Sequence, residues 1–180
     1  MRRLIKFLHT MGSIGFMGSL ASLLFLAKLA PPPASISGYA LIRSVMAQDA
    51  AWIVLPSLGL TLIPGVIAIA ATRAFHNAGW AWLKAATGVL IFAGGLHALA
   101  PIQEEARLSA GVLAGQIDPA MLTGVSGGEI VTLWLLLAVS TANVALGVWR
   151  PRLSRPARQE TARQEAATAP SKPGYWSRGL

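Results

Sequence analysis

The chain has 180 residues, of which 54% are hydrophobic and 12% charged, and a formal net charge of +8. Soluble domains carry about 25% charged residues, so this composition excludes an ordinary water-soluble globule. There is no cysteine, which excludes disulfides, thiolate metal sites, covalently attached c-type haem and palmitoylation.

Four stretches lack Asp, Glu, Lys and Arg: 7–27, 50–72, 85–103 and 130–149. Each has about 19–23 residues, and a helix needs roughly 20 to cross the hydrocarbon layer. Lipid offers no water to backbone groups, so each stretch must be helical. The expected fold is an all-α, polytopic membrane four-helix bundle. Residues 1–150 form its transmembrane domain, and 151–180 form a disordered basic tail.

The first helix covers about 4–29. Met1-Arg2-Arg3 resembles the start of a signal peptide, but the apolar run exceeds the usual 7–15 residues or so, so the segment reads as uncleaved. Pro31-Pro32-Pro33 stops the helix, because proline lacks a donor and clashes with the preceding turn. The stretch 39–46 reads as a short interfacial helix leading into the second helix. The second helix, about 50–75, contains Pro56 and Pro64, each expected to kink it. A short connection, His76 to Gly79, makes the second and third helices antiparallel neighbours. The third helix, about 80–99, begins with Trp80 and Trp82 at an aromatic belt and ends before Pro101.

A long loop, 102–128, then carries Glu104, Glu105 and Asp118-Pro119, the last a helix-start signal. With Glu129 these acids read as a solvated loop that enforces topology, or as a divalent-cation site. The fourth helix covers about 129–149 and Arg150-Pro151 ends it. A transient helix is expected at 159–167 in the tail.

If the N-terminus is cytoplasmic, the inner side holds twelve cations against two acids, and the outer side three cations against five acids. This positive-inside pattern places both termini in the cytoplasm, and the basic excess faces anionic lipid. Nucleic acid is not an expected partner, because no basic face with interleaved aromatics is present. The lipid bilayer is the expected partner.

Intramembrane ionisable residues mark candidate sites. His9 lies one turn inside Lys6, with Gly12, Ser13 and Ser19 on its face. It is the candidate metal ligand; the alternative is an interfacial His bonded to a neighbouring carbonyl. Lys84 is a candidate partner for a carboxylate or propionate, or a snorkelling anchor. Asn143 is a candidate to orient the His9 ring, or a helix–helix contact. His97 is a further cofactor-binding candidate. It lies thirteen residues beyond Lys84, about 20 Å along the axis, so it is not expected to share one iron with His9. His76 is a more remote second ligand. Phosphate loops, HExxH, CxxC and nucleophile elbows are absent. The glycines and serines of the first helix, Gly12, Gly15, Gly18 and Ser22, point to close packing.

Three features carry a resemblance: Lys6-Phe7-Leu8-His9 followed by Gly12 and Gly18, Pro56 followed by Gly65, and Trp82-Leu83-Lys84 followed by His97. Over roughly 4–100 the chain resembles a group of small bacterial inner-membrane proteins. The group includes the copper-resistance D membrane domain, HemJ-type protoporphyrinogen oxidases and a four-helix family of predicted integral membrane proteins. The resemblance is nearest to the last and implies a bacterial inner-membrane location. In HemJ-type proteins a first-helix histidine is associated with b-type haem and a third-helix lysine with activity; the matching residues are His9 and Lys84. Phe16 and Met17 stand where a tryptophan is typical, and the acidic loop and basic tail are additions.

The leading expectation is therefore a haem b or porphyrin binding protein for electron transfer or tetrapyrrole chemistry. One alternative is a metal or small-molecule transport module entered through the outer acids, His97 and Met46 or Met121. Another is an accessory subunit that packs against a membrane-protein partner, or a second copy, through its Gly and Ser faces.

Overall fold

The computed structural model describes residues 2–70 and 79–149. The expectations for His76, for Arg150-Pro151 and for the tail lie outside the described residues. The fold is all-α: four apolar helices each long enough to cross a membrane. Large apolar side chains such as Phe25, Trp52, Leu90, Leu135 and Val148 stand exposed around them. A soluble monomer rarely shows so continuous an apolar surface, and lipid is the solvent that suits it.

Helix α1 is Arg2–Leu29. Helix α2, Ile36–Asp49, runs through a π-helical turn at Ala50–Val54 into α3, Leu55–Ala70. The stretch 39–46 thus leads into the next helix as expected, and it does so inside a longer helix that starts at Ile36. Its buried side chains explain why: Tyr39, Arg43, Met46, Ala50 and Val54 recur every three or four residues across the junction, as one helical face must. The π turn sits just ahead of Pro56, whose missing N–H disturbs the preceding turn.

Helix α4 is Gly79–Leu113, running straight through Pro101. This corrects the expected end at 99. Beyond the proline, Ile102, Glu105 and Ser109 are buried at helical spacing on α2, which packs along this half of α4. Tertiary packing outweighs the lost hydrogen bond. Gly115, at φ 70°, closes the helix, a left-handed conformation that glycine adopts without penalty. Asp118 caps a short 3-10 turn at Pro119–Met121, accepting from the Ala120 N–H at 2.9 Å.

Helix α5 is Gly127–Trp149. Ser126 and Glu129 have capping-box spacing. The Ser126 half is made: its Oγ accepts from the Glu129 N–H at 3.1 Å. The Glu129 side chain turns elsewhere.

It turns to Arg43. Nη1 and Nη2 donate to Oε1 and Oε2 at 2.7 and 3.1 Å, and Arg43 is 1% exposed. One turn away, Glu105 accepts from Tyr39 Oη at 2.7 Å, from the Thr123 and Gly124 N–H groups at 3.1 and 3.0 Å, and from Thr123 Oγ1 at 3.2 Å. Gly124 has φ 78°, which turns the chain so that both amides reach one carboxylate. Glu105 and Glu129 are therefore buried tethers, not the solvated acids expected from the sequence. Glu104 is solvated, in an exposed pair with Arg107 at 2.6 Å. The divalent-cation alternative has no support here, because no group of three or more His, Cys, Asp or Glu converges among the described residues.

The apolar core runs between these helices: Phe16, Leu20 and Leu23 from α1, Met46 and Val54 from the α2–α3 path, Ile91 and Ile102 from α4, and Leu133 and Leu136 from α5.

Arg43→Ala leaves Glu129 buried without its cation and is expected to destabilise the fold by about 3–5 kcal/mol. The double change Arg43→Met with Glu129→Leu is expected to recover most of that loss. Unfolding in mixed detergent micelles measures both.

Candidate functional site

The opposite end of the bundle is built differently. Gly12 is buried, and a Cβ there would lie 2.7 Å from the Leu60 carbonyl carbon and the Thr61 nitrogen. Only glycine lets α1 approach α3 backbone to backbone at this point. His9, one turn earlier on the same face, is brought to α3 by that approach. Its Nδ1 lies 2.6 Å from the Thr61 carbonyl oxygen. A carbonyl only accepts, so Nδ1 carries the hydrogen and Nε2 is the nitrogen left for other bonding. Pro64 lacks the N–H that would meet the carbonyl of Leu60, the residue before Thr61 in the same turn.

Gly65 lets the ring lie close against α3: a Cβ there would sit 3.3 Å from His9 Cε1 and Nδ1. On the far side, Lys84 of α4 donates from Nζ to the Asn143 carbonyl oxygen at 3.0 Å. Gly147 makes room, since a Cβ there would lie 2.7 Å from Nζ. The Asn143 side chain is turned to α4, with Oδ1 accepting from Thr87 Oγ1 at 3.1 Å.

Between these groups lies a cavity of about 370 Å³, lined by His9, Lys84 and Asn143 with Leu58, Ile91 and Phe92 among its apolar walls. This falls within the roughly 300–1,000 Å³ typical of ligand sites. Lys6 is exposed at the rim. Gly88 lines the cavity and a Cβ there would meet nothing within 4 Å.

Three of the four candidate residues thus converge. His97 does not. It is exposed on α4 and takes no part in the cavity lining. The expected role of Asn143 in orienting His9 is also corrected, because the Thr61 carbonyl does that and the Asn143 side chain contacts α4. The plainer reading of Asn143, a polar contact between helices, is the one observed. Sequence reasoning does not single out Thr61 or Thr87. The one signal for Thr61 is its place in the turn before Pro64. The residues of the transport alternative are dispersed: Met46 is fully buried in the core, and Met121 and His97 are exposed in different elements. Of the small residues of α1, Gly12 and Gly15 face α3, with Gly15 against the Ser57 side chain, while Gly18 meets open space.

No protein-family model, no curated protein and no solved structure matches this chain.

Two glycine substitutions separate packing from cavity. Gly12→Leu drives a side chain into the α3 backbone and is expected to cost more than about 2 kcal/mol. Gly88→Leu enters open space and replaces a poor helix former, so stability is expected to hold or rise by up to about 1 kcal/mol. Thermal unfolding in one detergent compares the two variants.

Proposed function

We propose that this chain is a membrane protein of the bacterial inner membrane that binds b-type haem or a related porphyrin in the cavity between α1, α3, α4 and α5. The observation that carries the reading is the His9 imidazole, held through Nδ1 by the Thr61 carbonyl inside an apolar cavity that also contains a lysine. A backbone carbonyl on one ring nitrogen fixes the tautomer and raises the basicity of the other, as it does for imidazoles that bind metal. His9 Nε2 would hold the iron. Lys84 donates to the Asn143 carbonyl, and an ammonium has three donors, which leaves capacity for a propionate. Gly88, where a side chain would meet nothing within 4 Å, keeps the wall low enough for a flat macrocycle. When bound, haem supplies one-electron transfer. His9 is the one imidazole in the lining among the described residues, so a single axial histidine is the expected ligation.

The distribution of cations supports an orientation with the His9 end at the cytoplasmic face. Membrane-impermeant labelling of single cysteines, placed at position 3 and at exposed position 121 of this cysteine-free chain, is expected to reach position 121 only from outside the cell.

The functional test is a reduced-minus-oxidised spectrum of protein purified in mild detergent after expression with haem supply. A Soret and α band are expected, lost in His9→Ala. Gly88→Leu, which blocks the cavity without disturbing the fold, is expected to weaken binding on the order of tenfold or more, the effect of about 1.4 kcal/mol. A colourless protein that also fails to quench added protoporphyrin fluorescence would remove the reading.

A further inference from the structure

Asp49 ends α2 and is turned to α1, where it meets Ser19. We infer that Asp49, with Ser19 as its hydroxyl partner, is a proton-binding site inside the apolar layer, separate from the His9 cavity.

Ser19 Oγ donates to Asp49 Oδ2, which fixes the depth of the carboxyl against α1. That helix has no Asp, Glu, Lys or Arg between Lys6 and Lys28. Ser19 stands thirteen residues from the first and nine from the second, about 20 Å and about 13 Å along the axis. Ser19 is 4% exposed, and Met46 and Ala50 beside Asp49 are fully buried. Asp49 does not line the His9 cavity.

The other inward-turned acids among the described residues show by contrast what Asp49 lacks. Glu129 has a bidentate guanidinium, and Glu105 has four donors. Those partners suit a carboxylate. Asp49 has one hydroxyl, and the ion pairs among the described residues, Arg43–Glu129 and Arg107–Glu104, leave it out.

The titratable and charged groups on the elements around Asp49 are otherwise engaged or remote. On α1, Arg3, Lys6, His9 and Lys28 all lie more than two turns from Ser19 along the helix. On α2, Arg43 is held by Glu129 of α5, and Tyr39 donates to Glu105 of α4. Also on α4, Lys84 sits at the His9 cavity, while His97, Glu104 and Arg107 are exposed.

An ionised carboxyl without a cation is costly in such surroundings, so the neutral acid is the resting form. The neutral acid holds a transferable proton, and the Ser19 hydroxyl is placed to donate to the carboxylate when that proton leaves. Asp49 itself is half-buried. The π-helical turn begins at the next residue, Ala50. Such turns recur at functional sites.

The test uses two carbodiimides on the purified full chain in detergent. Dicyclohexylcarbodiimide partitions into apolar regions and reacts with a protonated carboxyl: the acid proton moves to a carbodiimide nitrogen, the carboxylate oxygen adds to the central carbon, and the adduct rearranges to a stable N-acylurea. A water-soluble carbodiimide with an added amine reports solvated carboxyls. Peptide mass spectrometry is expected to find Asp49 modified by the apolar reagent alone, less so as pH rises, and Glu104 by the soluble one. Asp49→Asn, which keeps the shape and a hydrogen bond to Ser19, should lose the adduct and keep the fold. Ser19→Ala should retain labelling to higher pH, because the hydroxyl that steadies the carboxylate is gone. Labelling of Asp49 by the soluble reagent, or no labelling of it by the apolar one at any pH, would overturn the inference. An unchanged pH profile in Ser19→Ala would overturn the part assigned to Ser19.

Discussion

A polar group inside an apolar bundle must find its partner inside the bundle. In this chain that constraint sets the helix register. Arg43 fixes α2 against the start of α5 through Glu129, and Glu105 fixes α4 against α2 and the turn at Thr123 and Gly124. Burying two charges is expensive, and their mutual attraction offsets that cost only when the geometry is good. A slip of one residue along any of these helices would separate the partners, so the pairs select one arrangement among many of similar apolar contact.

The two ends of the bundle meet the same demand in different ways. At the Arg43 end, the Glu129 carboxylate takes both terminal nitrogens of the guanidinium, while Arg43 Nε is buried without a hydrogen-bond partner. At the His9 end the partners are backbone carbonyls, those of Thr61 and Asn143. A carbonyl satisfies one donor of a side chain and leaves the rest of its bonding capacity unused. Gly65 and Gly147 give room to the His9 ring and to Lys84, and Gly88 leaves the adjoining space open. One end is a clamp, and the other is a cavity with spare donors and a free imidazole nitrogen.

Sequence patterning makes the four apolar helices legible because lipid leaves a chain few alternatives to them. It also points to His9, Lys84 and Asn143, since a polar group in such a run is rare enough to stand out. It misjudges Pro101, which would stop a solvated helix but not one held on its partner by Ile102, Glu105 and Ser109. It misjudges Glu105 and Glu129 for a related reason. A charge next to a loop looks solvated until another helix is known to cover it. Partners such as Arg43 with Glu129 lie 86 positions apart, and no local pattern links them.

Composition and periodicity by themselves therefore determined that this chain is helical, apolar on its outside and threaded through a bilayer, because backbone hydrogen bonding in lipid is a local requirement that each segment meets alone. Which polar residues meet, which acid is held by a cation and which by one hydroxyl, and where a cavity remains were decided only in three dimensions. Those outcomes depend on which helix faces lie together and how closely their backbones approach, as Gly12 does to α3.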